Sequence, residues 1–159
     1  LGFWWALHAV HHSQREMPFW TDDRNHLLDM VITDLALAVV ALAIGVAPGQ
    51  FVLMVALTRA FESLSHANAR IHFGRFGEWL LVSPRFHRVH HGIGVGHEGQ
   101  RYGCNFAVLF PVWDHLFGTA NTTAEFPSTG IRDQLDGRDY GEGFWRQQWL
   151  GILRMGGKA

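Results

Sequence analysis

The stretch Ser83-Pro84-Arg85-Phe86-His87-Arg88-Val89-His90-His91 decides the reading of this chain. It contains H-x-x-H-H, and the same spacing occurs near the start as His8-Ala9-Val10-His11-His12. On an α-helix, positions i, i+3 and i+4 share a face, so each copy aims its imidazoles in one direction. Serine as N-cap and proline at the first helical position predict that the second triplet rides on a helix begun at Ser83-Pro84. Neutral imidazole ligates zinc, copper, iron and nickel. Six clustered imidazoles without a metal would leave ring nitrogens short of partners and would repel one another once protonated. The pattern therefore predicts that His8, His11, His12, His87, His90 and His91 bind metal, as two ions side by side.

Between the triplets lies an apolar hairpin. Leu27 to Val46 and Phe51 to Leu64 are its arms, and Ala47-Pro48-Gly49-Gln50 is the turn signal. No charged residue occurs from Leu35 to Thr58. The arms have 20 and 14 residues, at or below the low end of what crosses a bilayer. The expectation is an all-α, membrane-embedded bundle with a hairpin and a histidine-rich metal-binding cap. A buried helix pair in a soluble protein is the competing reading, favoured by Asp29, Asp34 and a mean hydropathy of only +0.02. The turn carries no Lys or Arg, whereas Arg15, Arg24, Arg59, Arg70 and Arg75 flank the other ends. In a multi-pass protein this places both triplets on the cytoplasmic side. A hairpin also returns the chain to its starting side, so residues near 10 and near 90 can meet. His66, at the end of the second arm, is a further candidate ligand. His26 and His72 read either as supports of the cluster or as surface residues, and His97 as a loop residue. His115, beside Asp114, reads as an orienting pair or as local packing.

The remaining segments frame this core. Gln14 to His26 is a polar connection containing Pro18. Gly92 to Gly103 includes a G-x-G-x-x-G string, but no strand precedes it, so a loop or lid is expected rather than a dinucleotide site. Asn105 to Leu116 is apolar and aromatic, Asn121 to Asp139 is irregular, and Tyr140 to Met155 reads as an amphipathic helix at an interface. Residues 1–159 make one domain's worth of chain. It begins at Leu1 in mid-pattern, which reads as the C-terminal portion of a longer domain. A net charge of -1 and a pI near 6.9 exclude a nucleic-acid binder. The 11 His nearly equal the 13 Lys plus Arg, which puts ligating groups where ordinary surface charge would sit. Cys104 is alone, so neither a disulfide framework nor a thiolate cluster is available, and it reads as a small buried residue.

Without thiolates or an H-E-x-x-H motif, structural zinc and zinc-protease chemistry are disfavoured. Many imidazoles in an apolar setting suit iron and dioxygen. A zinc-binding membrane protein with a structural or hydrolytic role, and a metal-sequestering or interaction protein, remain alternatives at this level.

At these residues the chain resembles the fatty acid hydroxylase/sterol desaturase superfamily of membrane di-iron enzymes. The matching strings are H-A-V-H-H-S (8–13), H-A-N-A-R (66–70), S-P-R-F-H-R-V-H-H (83–91), Asn105 and W-D-H-L-F-G-T (113–119), with a bacterial-type tail at 138–151. The resemblance implies two irons facing the cytoplasm, dioxygen as co-substrate and electrons from an external partner. The reaction it implies is hydroxylation or desaturation of a lipid C–H bond, on a sterol or fatty acyl chain for example. Carried over by motif, His8, His11, His12, His66, His87, His90 and His91 are the ligands through which catalysis runs. Asn105 and Asp114 are implied to support the site or the fold. The superfamily's earlier H-x-x-x-H motif and the helices before it have no counterpart here, as expected of an N-terminally truncated sequence.

Overall fold

The computed structural model describes residues 2–97 and 103–158. Among the described residues seven α-helices follow one another: α1 (Gly2–His12), α2 (Leu27–Ala43), α3 (Pro48–Ser65), α4 (Gly74–Leu80), α5 (Pro84–His90), α6 (Val112–Phe117) and α7 (Phe144–Met155). Short 3-10 turns lie at Phe19–Asp23 and Arg132–Gln134. Among the described residues there is no strand, only one antiparallel bridge between Gly92 and Thr129. The all-helical expectation holds.

Helix α1 is the hub. Leu7, Ala9 and Val10 are fully enclosed, and α1 packs against both α7 and α2. α3 packs against α5 and against the 3-10 turn at Phe19–Asp23. The two histidine-bearing helices thus reach the same place from different partners. The start of α5 follows its sequence signal: Ser83 Oγ accepts from the Phe86 N–H (3.1 Å), and Pro84 occupies the first turn. Phe86 and Val89 anchor the helix from its buried side.

The hairpin forms, with a shifted turn. α2 ends in a Gly45 at φ +81°, and the Val46 N–H reaches back to the Ala41 carbonyl (2.9 Å), a glycine-capped helix end. Pro48 then opens α3, and the Gln50 side chain accepts from the Ala47 N–H (3.1 Å). Pro48, Gly49 and Gln50, expected in the turn, belong to the second arm because proline suits a first helical turn. The bilayer-crossing expectation is corrected in one respect: no helix among the described residues is long and apolar enough to cross a membrane. α2 has 17 residues, and at about 1.5 Å per residue it falls short of a hydrocarbon core of about 30 Å. α3 has 18 residues but carries Arg59 and Glu62. Both arms nevertheless present large apolar side chains outward, among them Leu35, Val39, Leu42, Ile44, Val52 and Leu53.

The glycine-rich loop is pinned where it is described. A Cβ on Gly96 would sit on the carbonyl oxygens of Val89 and His90, so the loop lies directly against the end of α5. Residues 98–102 of the expected loop or lid lie outside the described residues. α7 packs on α1 with Gly151 against His26, and turns Trp145 and Trp149 outward. It is therefore both packed on its own domain and amphipathic.

Candidate metal centre

All seven expected histidines converge, in a grouping that the spacing alone does not give. His11, His66, His87 and His91 form one set, and His8, His12 and His90 a second, with the ligand atoms of each set within 4.8 Å of one another. Each set therefore mixes the two triplets, because α1 and α5 face each other across the cluster and interleave their rings. The sets adjoin: His12 stacks on His91 with ring centroids 4.4 Å apart.

The four-histidine set is joined through Nε2 atoms. His66 lies 3.1 Å from His11 and 3.1 Å from His87, and His87 lies 3.2 Å from His91. Nitrogens held at about 2.1 Å from one ion stand about 3.0–3.4 Å apart at octahedral to tetrahedral angles. Hydrogen bonding alone cannot satisfy this chain. His66 Nδ1 donates to the Glu62 carbonyl (2.8 Å), which leaves its Nε2 as a bare lone pair. His87 has one Nε2 proton at most, yet its nitrogen meets both His66 and His91. The Nδ1 atoms of His87 and His91 have no hydrogen-bond partner, nor does that of His12. A cation shared by the four Nε2 lone pairs removes the conflict among those nitrogens, so these residues fit a metal.

Other rings are fixed from behind. His8 Nδ1 donates to Asp29 Oδ2 (2.9 Å), and His90 Nδ1 donates to the Cys104 carbonyl (2.7 Å). With His66, three rings thus carry the proton on Nδ1 and turn Nε2 inward, the arrangement that orients metal-binding imidazoles. His11 differs: the Gln14 amide N–H, which donates to the Thr21 carbonyl (2.8 Å), lies 3.4 Å from its Nδ1, a donor where the other three rings meet an acceptor. Burial, then neighbouring imidazoles, push the pKa values of His11, His12, His87 and His91 well below the usual histidine range. Burial lowers His90 to about 4 and lowers His66 as well. Rings kept neutral keep their lone pairs for a ligand.

The remaining candidates separate clearly. His26 is the N-cap of α2: its Nδ1 accepts from Leu28 N (3.1 Å) and its Nε2 donates to the Gln148 carbonyl (2.9 Å), so it ties α2 to α7. His72 is exposed and accepts from Gly74 N. His97 sits on its loop yet packs beside the cluster, 5.1 Å from the His12 ring and 4.8 Å from Trp5. His115 stacks flat on Trp79 at 4.0 Å. It is not paired with Asp114, which accepts from Phe106 N, Ala107 N and Thr119 Oγ1 and so folds the segment that follows Asn105. Asn105, at φ +54°, donates to the Phe86 and Asn121 carbonyls. Its neighbour Cys104 is fully buried, as expected, with its thiol pushed up to about 11 by burial.

The sequence reading missed Asp29 as a partner of His8. It counted that residue only against membrane insertion. The available signal was an acid in the first turn of an otherwise apolar arm, where a buried carboxylate needs a partner. Trp5, against His8, His12 and His97, carried no signal at all.

A fold that is all-helical among the described residues, with seven converging imidazoles that could hold metal and apolar outer arms, defines a histidine-cluster class. Within that class the chain belongs to the fatty acid hydroxylase family, whose match spans residues 1–119. It is 30% identical to ornithine lipid hydroxylase OlsE of Rhizobium tropici, over 80% of this chain and 37% of that protein. It is 30% identical to an alkylglycerol monooxygenase of Caenorhabditis elegans, over 74% of this chain and 22% of that protein. The human alkylglycerol monooxygenase is 28% identical, over 83% and 28% respectively. The chain thus spans between about a fifth and two fifths of the length of these relatives. No solved structure matches it.

Proposed function

We propose that this chain carries the metal-binding part of a di-iron, dioxygen-dependent lipid hydroxylase, or less often desaturase. The observation that carries the reading is the joining of seven imidazoles into two adjacent sets in a chain of this family. In it, His11, His66, His87 and His91 hold one ion and His8, His12 and His90 the other. A bound iron pair would supply the redox chemistry: lipid C–H, dioxygen, two electrons and two protons become lipid C–OH and water, with an external protein as electron donor. The names of the relatives support a lipid substrate and an oxygenase reaction.

The chain's own residues contribute orientation and exclusion. Asp29 and the carbonyls of Glu62 and Cys104 hold protons on Nδ1, so that Nε2 of His8, His66 and His90 points inward. Met30, Phe106 and Val108 line the cavity beside the imidazoles and would narrow the access of water to the reacting carbon. The outward apolar faces of α2 and α3, with the tryptophans of α7, support placement at a membrane with the histidines at its cytoplasmic edge. The arms would enter the bilayer together with other helices of the full protein rather than cross it alone.

A second reading has one observation in its favour. Four nitrogens from His11, His66, His87 and His91 also complete a tetrahedral zinc site. Metal analysis of the full-length gene product, loaded anaerobically with iron and then given oxygen and membrane lipid, separates the two. Iron bound at both sets with lipid-dependent oxygen uptake is the expected result. Protein that retains only zinc and consumes no oxygen would overturn the proposal.

A further inference from the structure

A seam apart from the histidine cavity runs between residues 13–31 and residues 134–152. Gln148 clasps it: its side chain accepts from Leu27 N (2.7 Å) and donates to the Asn25 carbonyl (3.2 Å), and its own carbonyl accepts from His26 Nε2 (2.9 Å). Two cavities border this seam. One, of about 500 Å³, lies between the start of α2 and α7 and is walled by Leu27, Leu28, Val31, Trp145, Trp149 and Ile152. The other, of about 600 Å³, is bordered by Arg15, Arg24, Arg138, Asp139, Tyr140 and Glu142. On both segments the residues of the basic cavity come first and those of the apolar cavity follow, so the seam has a basic end and an apolar end. None of the seven clustered histidines borders either cavity.

Charge at the basic end is unbalanced. Arg138 is engaged by Asp133 (3.4 Å), and Asp139 by Arg146 (2.5 Å). These pairs leave Arg15 and Arg24 without a carboxylate among the described residues, and Glu142, exposed on the rim, is the acid that remains. Arg24 uses Nη1 for the Val10 carbonyl (2.7 Å) and Ser13 Oγ (2.9 Å). A guanidinium has five N–H donors, so Arg24 keeps others for a ligand. A third cation stands behind the Tyr140 ring. Arg154 lies 4.4 Å over that ring, and its buried Nη1 and Nη2 have no hydrogen-bond partner. Partly buried positive charge of this kind is costly until an anion meets it. Guanidinium forks match phosphate oxygens in geometry as well as charge.

We propose that the seam is a binding site for an anionic phospholipid. The phosphate seats at Arg15 and Arg24, and an acyl chain lies in the apolar cavity between α2 and α7. Complementary charge selects the head, and the apolar walls take the chain. Trp145 and Trp149, both exposed, flank the chain's entrance, as indole rings do at headgroup depth. Because no ring of the cluster borders the seam, this lipid is a bound companion of the protein and not its substrate. The inference goes beyond the hydroxylase reading and uses no metal.

The test is native mass spectrometry of the purified full-length protein in neutral detergent, titrated with dioleoylphosphatidylglycerol, dioleoylphosphatidylcholine or inorganic phosphate. The anionic lipid is expected to bind about tenfold tighter than the choline lipid, whose own positive charge offsets its phosphate. Arg15→Gln should weaken the anionic lipid about fivefold, the worth of one cation beside an anionic headgroup, and leave the choline lipid nearly unchanged. Arg24→Gln should act in the same direction. Arg15 is exposed, so its variant keeps the test open if Arg24→Gln, which loses the bonds to Val10 and Ser13, fails to fold. Val31→Trp, which fills the apolar cavity, should weaken both lipids and leave their ratio unchanged. Equal affinity for the two lipids, inorganic phosphate bound as tightly as the anionic lipid, or a preference that survives the arginine substitutions would overturn the site. Binding requires neither iron nor oxygen. Its failure leaves the oxygenase reading standing, and an oxygen-inert protein would leave the lipid ratio unchanged.

Discussion

At the residue scale, the cluster works only if its rings stay neutral and correctly turned. Asp29 is the one side-chain carboxylate bonded to a ring of the cluster among the described residues. Asp29→Asn keeps the size but removes the charge that favours an Nδ1 proton on His8. It should weaken metal binding by about tenfold in a chelator competition, in line with other partners that stand behind ligands. His72→Ala should leave the same titration unchanged, since that ring is exposed and apart from the cluster. Acid should act on the metal-free chain in a defined direction. Unfolded imidazoles titrate near 6.5, whereas His11, His12, His87 and His91 are held well below that and His90 at about 4. As pH falls below about 6.5, the unfolded state takes up protons that the folded state refuses, so stability declines. The urea midpoint should be level above neutrality and fall progressively from about pH 6.5 toward about pH 4. A midpoint that rises on acidification would contradict the buried, neutral cluster.

At the element scale, α5 is a short helix that must be held at both ends to aim three rings. Ser83 is fully buried, accepts from Phe86 N and donates to Glu78 Oε1 (2.8 Å). Ser83→Ala should cost about 1–2 kcal/mol in chemical denaturation, the loss of a helix cap. At the other end, Gly96→Ala would drive a Cβ into the Val89 and His90 carbonyls. It should lower stability by about 1–3 kcal/mol, a typical overpacking cost. It should also weaken metal binding, which a simple cap loss far from the rings would not do. The start of α5 was legible because Ser-Pro is a local signal with a local cause. The convergence of α1 with α5 was legible because a hairpin closes the path between them. The exchange of partners between the triplets was not legible. Spacing fixes which side of its own helix a ring occupies, whereas the sets depend on how α1 and α5 cross. Asp29 was hidden for the same reason: its partner lies 21 residues away on another helix.

At the scale of the whole molecule, the outer faces of α2 and α3 explain why so apolar a hairpin surrounds so polar a centre. The sequence bounds put Ile44, Gly45 and Val46 in the first arm, whereas α2 ends at Ala43, and at 17 residues it is shorter than a bilayer is thick. The composition still carried information, since the apolar residues it counted face outward rather than into a core of the chain's own. If these faces meet lipid, Leu42→Arg with Val52→Arg should reduce co-sedimentation with liposomes by about tenfold or more, given about 2.5–3.5 kcal/mol per charged residue at membrane depth. Unchanged sedimentation, with helicity retained, would place another protein surface on the hairpin instead.

The central claim is that imidazoles from α1, α5 and the end of α3 share two metal ions. The direct measurement is an anaerobic iron titration of the full-length protein and its His66→Ala and His8→Ala variants, read by metal content and X-ray absorption. The account predicts nitrogen-rich coordination throughout. It also predicts selective loss of one iron in each variant, His66→Ala emptying the four-histidine set and His8→Ala the three-histidine set. Iron uptake that neither substitution changes, or no tight uptake at all, would contradict it.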